Sequence, residues 1–339
     1  MKNLLTLLLL FVLDITGINL LGRILNRNKA IILYYHGICE DGFDLLEGYD
    51  ERHVSRSSFK KHLDYLQKHG YVFINMTELV ESLKNKLKIK KCAVLTFDDG
   101  FKNVITNAYP IMREFKAKGC FYVISDLVGT NQLVWTDYVE TIIRNQPPGD
   151  YQFMFKGETM HYPLNDRLST EYAMRDIKKK LRSIPDKERL EHLDQFKNQQ
   201  LENIPEEFRM VGWEQIKELD FKILEIGGHT KGHANCENLI SETELEREIL
   251  HSKADIENCT GRKVTHFCYP AGSYNDNVVD KVREYGYESA VTTNPGFVTL
   301  YSDRYRLNRF AAGNNMLRFK ATISGSYRYI RRIKSGFDV

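Results

Sequence analysis

The sequence predicts an α/β fold in which a parallel β-sheet is rolled into a barrel and covered by helices. Short apolar segments alternate with amphipathic ones about seven times after Ala30, a pattern typical of parallel strands joined by helices. Residues of the candidate motifs also fall just past the ends of predicted strands, namely His36, Asp98, Asp99, His229 and Pro270. Because the active site of a (β/α) barrel forms at the carboxyl ends of its strands, this coincidence favours a barrel over an open sheet.

The strands and helices are predicted from apolar runs and from helical periodicity, respectively. Pro110 suits the first turn of its helix, and Gly119 suits the stop after it. The predicted strands are 30–35, 71–74, 92–96, 119–124, 223–226, 265–269 and 289–292, and the predicted helices are 57–68, 77–87, 110–118, 214–219, 242–257 and 277–284.

The stretch from 146 to 211 interrupts this alternation. It opens with Pro147-Pro148-Gly149 and continues with strongly charged helical patterns over 176–182 and 187–199. We interpret it as a helical insertion on a barrel domain that spans 30–315.

The segment 1–29 is interpreted as a helix that lies on a membrane surface. Its apolar run, 4–13, is shorter than the roughly 20 residues that span a bilayer, and no small-residue cleavage site follows it. Apolar residues then continue with helical periodicity as far as Leu25. A signal anchor and a helix packed on the domain are the alternatives.

Charge around this helix predicts its orientation. Arg23, Arg27 and Lys29 follow the apolar run, and positive charge tends to stay on the cytoplasmic side. We therefore expect the cytoplasmic face of the inner membrane, with an exported or membrane-anchored protein as the alternative. The segment 316–339 is a basic tail, either a solvated face or a contact for an anionic membrane or acidic glycan.

Net charge and cysteine content exclude few classes of protein. The net charge of +3 gives no argument for a nucleic-acid partner, and none is expected. Six cysteines in 339 residues, with no Cys-x-x-Cys pair, do not form a disulfide scaffold.

The residues Thr96-Phe97-Asp98-Asp99-Gly100 are the most informative in the chain. Successive side chains at a strand end point in different directions, so one carboxylate can bind a metal while the other faces a substrate. His229 and His233, four residues apart after another strand, can share a metal ion. Together with Asp99 they make a set of two histidines and one carboxylate, which is typical of catalytic zinc or iron sites.

Three motifs in order resemble the polysaccharide deacetylase family, also called carbohydrate esterase family 4 or the NodB homology domain. The first, Thr-Phe-Asp-Asp-Gly, is matched at every position by 96–100; the second, His-Ser/Thr-x-x-His, is matched by 229–233. The third is matched in part by Tyr269-Pro270-Ala271-Gly272. The resemblance implies a distorted (β/α)7 barrel.

The resemblance also implies a role for each matched residue. Asp98 would be the catalytic base, and Asp99, His229 and His233 would bind one divalent metal, with zinc expected and iron, cobalt or nickel as alternatives. Tyr269, Pro270 and Ala271 would form part of the substrate site, where the backbone N–H of Ala271 would help to hold the oxyanion.

Two departures from the family pattern call for substitutes. The family's third motif usually carries an arginine that holds the catalytic aspartate, and Cys268 stands in that position here; Arg306 and Arg309 are the candidates to replace it. Family members also commonly carry a histidine near the C-terminus as general acid. No histidine follows His266, so we expect His36 to take this role.

These inferences predict a metal-dependent hydrolase that removes acetyl groups from N-acetylated sugars of a surface polysaccharide or its precursor. An O-acetyl glycan esterase is a close alternative, and a non-catalytic glycan-binding or membrane-scaffold barrel is the alternative from another class. A glycosidase is less suited, because it needs two carboxylates on opposite sides of the sugar, whereas Asp98 and Asp99 are adjacent.

Overall fold

A curled, parallel β-sheet forms the centre of the computed structural model, which describes residues 2–42, 53–196 and 206–330. The order of its main strands is β11-β10-β9-β6-β5-β1-β12, and the short β4 pairs with the start of β5. The strands of this sheet are β1 (Ile31–Tyr35), β4 (Val72–Phe73), β5 (Cys92–Phe97), β6 (Gly119–Val123), β9 (Leu224–Gly228), β10 (His266–Cys268), β11 (Ser289–Val291) and β12 (Phe310–Ala311); two small sheets pair β2 (Gly37–Cys39) with β3 (His53–Ser55) and β7 (Asp150–Phe155) with β8 (Glu158–Pro163).

The two edges of the curled sheet are bridged by the segment that leads into β12. Leu307 exchanges backbone hydrogen bonds with Ala290 and Thr292 next to β11, and Phe310 pairs with Leu33 of β1. The predicted fold class, a distorted (β/α)7 barrel, is therefore confirmed.

The strands are apolar on both faces because both faces are buried. In β5, Leu95 and Phe97 belong to the main core beneath the surrounding helices, whereas Val94 belongs to a second core on the opposite face. That second core includes Met76 and Leu79 of helix α4.

The helices that cover the barrel mostly match the predicted ones within a few residues. Asn75 begins α4 with a reciprocal capping box, in which its side chain accepts from the Glu78 N–H and the Glu78 side chain accepts from the Asn75 N–H. The helices are α1 (Lys2–Ile15), α2 (Ile18–Leu25), α3 (Arg56–Lys68), α4 (Met76–Lys84), α5 (Tyr109–Glu114), α6 (Trp135–Arg144), α7 (Arg167–Arg182), α8 (Asp186–Leu193), α9 (Trp213–Lys217), α10 (Glu242–Leu245), α11 (Ser252–Thr260), α12 (Asp276–Glu284) and α13 (Met316–Ser324), with π-helical turns at Val104–Ala108 and Glu246–His251.

The N-terminal segment is a bent pair of helices and not one continuous helix. Gly17 adopts a left-handed conformation, with φ of 76°, between α1 and α2, and the two axes differ by 67°. Among the described residues, no single helix is long and apolar enough to cross a membrane; by length and composition alone, the bent pair together meets that test.

The insertion contains a β-hairpin in addition to the predicted helices. Strands β7 and β8 form an antiparallel pair, and α7 and α8 follow them. Helix α6 packs against α7, so this subassembly begins near Trp135, before the predicted start of the insertion. Residues 197–205, which we included in the insertion, lie outside the described residues.

The first part of the predicted basic tail is helical and packed. Helix α13 buries Phe319, Ala321 and Ile323, although a basic residue, Lys320, lies between the first two in the sequence. The remainder of the predicted tail, 331–339, lies outside the described residues.

Candidate metal and active site

The carboxyl ends of β1, β5, β9 and β10 surround a cavity of about 310 Å³. Parallel pairing brings these strand ends to the same end of the barrel, although the residues they carry are far apart in the chain. The cavity is lined by Tyr34, His36, Asp98, Asp99, Thr136, Arg182, His229, His233, Ala271, Thr293, Ala311 and Arg318.

The predicted ligand residues Asp99, His229 and His233 come together on one side of this cavity. The Oδ1 atom of Asp99 lies 3.3 Å from Nε2 of His229 and 3.4 Å from Nε2 of His233. This Oδ1 atom is buried and has no hydrogen-bond partner among the described residues. A buried carboxylate oxygen without a donor is costly unless a cation satisfies it.

These separations fit a metal ion. Ligand atoms about 2.0–2.1 Å from a tetrahedral zinc are about 3.3–3.4 Å from one another, which is the spacing that Asp99 makes with each histidine. Burial lowers the pKa of His233 to about 3, so its imidazole is neutral, the form that binds metals. One carboxylate and two imidazoles, with an open cavity beside them, suit a catalytic site.

The ring of His229 is oriented by a neighbouring strand. Its Nδ1 atom lies 2.8 Å from the backbone oxygen of Cys268, which makes Nδ1 the donor and leaves Nε2 directed at Asp99. A carbonyl partner of this kind fixes the tautomer of metal-binding histidines.

Several residues at the site have strained backbone conformations. Asp99, Thr230, His233 and Ala271 all have left-handed backbone angles, with φ of 75°, 61°, 59° and 53°. Such conformations are unfavourable for residues other than glycine and are kept where the surrounding structure holds them in place. Three of these residues, Asp99, His233 and Ala271, line the cavity.

Asp98 is held by Arg309 in a buried, bidentate ion pair. Nη1 of Arg309 donates to Oδ1 of Asp98 and Nη2 donates to Oδ2, each at 2.8 Å. Burial alone would raise the pKa of Asp98, but the guanidinium lowers it below its ordinary value. Asp98 is therefore ionised, as a proton acceptor must be.

The position of Arg309 is fixed by further contacts from the barrel. Its Nε donates to the backbone oxygen of Thr292 at 2.8 Å, and its Nη1 also donates to Oγ1 of Thr96 at 3.0 Å. The other candidate, Arg306, lies at the surface and pairs with Asp303 and Asp276. Of the two arginines considered, the structure thus brings only Arg309 to Asp98.

The side chain of Cys268 touches this ion pair. Its Sγ atom lies 3.2 Å from Nη2 of Arg309. Cys268 occupies the position where the family usually has an arginine, and here the guanidinium comes instead from Arg309, in the segment before β12. Burial raises the pKa of the Cys268 thiol, which keeps it protonated and unsuited to bind a metal.

His36 lines the same cavity, as expected for a residue that follows β1. Burial alone would raise the pKa of Asp99, but the neighbouring imidazoles, those of His36 and His229 foremost, hold it well below its usual range. His36 is therefore close to the candidate ligand Asp99.

Of the three predicted substrate-binding residues, only Ala271 lines the cavity. Pro270 is buried behind it. The side chain of Tyr269 is fully buried, and its hydroxyl donates to the backbone oxygen of Tyr305 at 3.0 Å. The structure does not bring Tyr269 to the cavity, because it follows a strand on the face that belongs to the main core.

Sequence reasoning missed Arg182 and Arg318, which come to the cavity from α7 and α13. Neither belongs to a recognisable motif, and their approach depends on how the two helices pack. Arg318 also lines an adjoining cavity of about 470 Å³, together with Arg328 and the aromatic side chains of Phe297, Phe310 and Tyr327. The two cavities share Tyr34, Thr293, Ala311 and Arg318.

Comparison with known sequences identifies relatives over most of the chain. A family model described as polysaccharide deacetylase matches residues 85–290. The Bacillus subtilis (strain 168) protein YxkH, which carries the name of a polysaccharide deacetylase, is 21% identical over 289 residues, covering 85% of this chain and 73% of YxkH. The poly-β-1,6-N-acetyl-D-glucosamine N-deacetylase of Staphylococcus epidermidis is 26% identical over 113 residues, which is 31% of this chain and 39% of that protein.

Comparison with solved structures shows the same fold. The Streptococcus pyogenes deacetylase PplD, solved in complex with acetate, superposes with a TM-score of 0.57 at 21% sequence identity. The superposition covers 85% of this chain and 94% of PplD, so the similarity extends over almost the whole barrel of that enzyme.

Proposed function

Because the chain belongs to the polysaccharide deacetylase family, we propose that it hydrolyses the acetamide of N-acetylated sugars in a surface polysaccharide or its precursor, with the help of one divalent metal. The observation that carries this proposal is the pairing of Asp98 with Arg309 beside the cluster of Asp99, His229 and His233. Metal-assisted hydrolysis of an amide by water needs a base close to the metal site. Asp98 and the ligand residue Asp99, which are adjacent in the chain, meet this need.

Asp99, His229 and His233 would hold the metal ion, with zinc as the expected ion. When bound, such an ion acidifies water and polarises a carbonyl oxygen. The protein contributes the neutral imidazole of His233, the Nδ1 hydrogen bond that orients His229, and the buried oxygen of Asp99 that lacks another partner.

Asp98 would take the proton from the attacking water. The bidentate pair with Arg309 keeps the carboxylate ionised and fixes its plane, so the acceptor oxygen need not reorient when water arrives. Arg309 would position Asp98 and balance its charge.

His36 would protonate the leaving amine, and Ala271 would bind the oxyanion through its backbone N–H. An amide nitrogen is a poor leaving group until it is protonated, so an acid near the cavity is required. His36 and Ala271 both line the cavity. The left-handed conformation of Ala271 turns the backbone sharply after Pro270.

The substrate class is inferred from chemistry and from a relative. The staphylococcal enzyme is named for poly-β-1,6-N-acetyl-D-glucosamine, and the adjoining cavity supplies aromatic rings that can pack on sugars. We therefore expect β-1,6-linked N-acetylglucosamine oligomers to be the first substrates to try.

Acetate release tests this proposal. Full-length protein loaded with zinc would be incubated with N-acetylated oligosaccharides of several linkages and with O-acetylated glycans, and free acetate would be measured. Release from an N-acetylated substrate supports the proposal. Release only from O-acetyl esters would make the protein an esterase, and glycan binding without any release would make it a non-catalytic barrel; either result overturns the proposal.

A further inference from the structure

The N-terminal helices α1 and α2 are attached to the barrel by polar contacts and, in α1, by Leu10, which is buried against Ala321 and Ile330. Asn19 is 1% exposed, and its Oδ1 accepts hydrogen bonds from the hydroxyls of Ser324 at 3.1 Å and Ser326 at 2.6 Å. Asp14 forms an ion pair of 2.6 Å with Lys320 of α13. Buried, satisfied polar groups fix a defined orientation of the docked helices.

The rest of the docked face of α2 is also small or polar. Nδ2 of Asn26 donates to the backbone oxygen of Ser324 at 3.0 Å, and Arg23 donates to the hydroxyl of Tyr65. Gly22 packs against Ser324 so closely that a Cβ there would lie 2.6 Å from the Ser324 oxygen. The side of α2 that faces the protein is therefore its polar side.

The opposite side of the two helices is apolar and exposed. Among the described residues, most of the large hydrophobic side chains that are exposed belong to this pair; they are Leu5, Leu7, Leu8, Phe11, Val12, Ile15, Ile18, Leu20, Leu21, Ile24 and Leu25. Leu25 is 72% exposed and Ile15 is 64% exposed. A surface helix of a globular protein normally has the reverse arrangement, with its apolar stripe on the core.

Basic residues outnumber acidic ones in and around this helix pair. Asp14 is the only acidic residue in 1–29, and it is paired with Lys320, whereas Arg23, Arg27 and Lys29 lie in or just after α2. Arg328 follows the packed partner helix α13, and no acidic residue lies between 316 and 330. An apolar face on a helix pair with an excess of basic residues matches the interface of an anionic bilayer.

We propose that the α1–α2 pair lies in the surface of an anionic phospholipid membrane, with its exposed apolar face among the lipids and its opposite face packed on α13. Within this pair, α1 has 14 residues and α2 has 8, and the 67° bend separates them, so each helix suits a position along the interface better than a crossing. The basic residues after α2 favour the cytoplasmic leaflet. This proposal is independent of the reaction that the barrel catalyses.

Vesicle flotation tests the proposal with the full-length protein. The probes are vesicles of phosphatidylcholine with about a quarter phosphatidylglycerol, and vesicles of phosphatidylcholine alone. We expect the protein to float with both, and more strongly with the anionic vesicles at low salt. Protein that stays at the bottom with both lipids would overturn the proposal.

A triple variant, Leu8→Ser with Leu21→Ser and Leu25→Ser, removes exposed apolar side chains without touching the docked face. We expect its partition into vesicles to fall by roughly tenfold per residue. The matched control is the double variant Ile240→Ser with Tyr301→Ser. These two side chains lie outside the helix pair and are 83% and 92% exposed, so the control should float like the parent. Equal flotation of the triple variant and the parent would contradict the proposal.

Two further readouts distinguish other occupants of the apolar face. A dimer that the triple variant dissociates, without vesicle binding by the parent, would assign the face to a second copy of the chain. Resistance of the vesicle-bound parent to alkaline carbonate would assign the bent pair to a membrane crossing. Acetate release from a soluble oligosaccharide is measured for the parent and the triple variant, and it reports on the barrel alone. If neither protein releases acetate, the proposed deacetylase activity fails, but the flotation result still tests membrane binding.

Discussion

At Asp98 the geometry of a single ion pair determines whether a carboxylate can act as a base in a buried site. Removal from water favours the protonated acid, whereas two hydrogen bonds from Arg309 favour the anion. The ion pair is fully enclosed, with Arg309 itself 0% exposed. Loss of either partner would therefore leave a buried charge without compensation.

Substitution of Arg309 should reduce activity and stability together. In Arg309→Lys the ammonium replaces a planar fork that makes two parallel hydrogen bonds, so we expect turnover to fall by about 10² or more. Arg309→Met should also lose roughly 3–5 kcal/mol of unfolding free energy. Acetate release and urea denaturation measure the two effects.

The control for this substitution is Arg306→Lys, which alters a surface arginine and should change stability by less than about 0.5 kcal/mol. A rescue variant is a second test. Sγ of Cys268 contacts Nη2 of Arg309, so an arginine at position 268 could reach the same place. Cys268→Arg combined with Arg309→Leu should recover part of the activity that Arg309→Leu loses. An Arg309→Lys enzyme as active as the parent would refute the positioning role.

Substitution of His36 should affect amides more than activated esters. His36→Ala should keep its metal and lose on the order of a hundredfold or more in deacetylation, because no acid then protonates the leaving amine. An activated acetyl ester, whose leaving group needs little protonation, should be hydrolysed at close to the parent rate. Equal losses on both substrates, or loss of metal, would instead assign His36 to the surroundings of the metal.

The metal ligands give a prediction that does not depend on turnover. His233→Ala should lose most of the bound metal, because one of three protein ligands is removed, whereas the purified parent should carry close to one metal per chain. Metal analysis after dialysis measures this directly. Asp98→Asn is the control, since it changes the neighbouring carboxylate without removing a ligand, and full occupancy in His233→Ala would eliminate the site.

At the scale of single elements, the start of α4 shows how a barrel strand and a helix depend on each other. The carboxylate of Glu225 on β9 accepts the backbone N–H groups of Met76 and Thr77 at the first turn of α4. Burial raises the pKa of Glu225 to about 7 from a model-peptide value of 4.5. The carboxyl group is therefore mostly protonated in the folded protein below about pH 7.

This shift predicts a pH dependence of stability. The stabilising effect of the protonated Glu225 is fully present below about pH 4.5 and is lost as the pH rises through about 7, because the ionised group must stay buried. Glu225→Gln, which cannot ionise, should be more stable than the parent by about 1–3 kcal/mol at pH 8 and similar to it near pH 5. Urea denaturation at both pH values measures the difference, and an equal difference at both would show that ionisation is not its cause.

The elements also show where sequence patterns fail. The central strands were predictable because strands buried on both faces are continuous apolar runs. Strand β12 has two residues and little pattern, and β7 and β8 belong to a hairpin that is mostly exposed, so neither hairpin strand carries a strong apolar signal. The bend at Gly17 was hidden because apolar residues continue on both sides of it.

At the scale of the whole molecule, the barrel gathers residues that are far apart in the chain. Asp98 and Asp99 follow β5, His229 follows β9, and Arg309 precedes β12. All of them meet at one end of the sheet. The motifs predicted the carboxylates and histidines, because their spacing is local. The choice between Arg306 and Arg309, the burial of Tyr269 and the approach of Arg182 and Arg318 depend on packing between distant elements, which no local pattern records.

Acetate release at equal metal content tests the central claim, that Asp98 acts as base beside a metal held by Asp99, His229 and His233. The parent and Asp98→Asn would be loaded with zinc, adjusted to the same metal-to-protein ratio, and incubated with an N-acetylated oligosaccharide that the parent hydrolyses. We expect the parent to release acetate and Asp98→Asn to be slower by about 10² or more. Equal rates for the two proteins would contradict the claim.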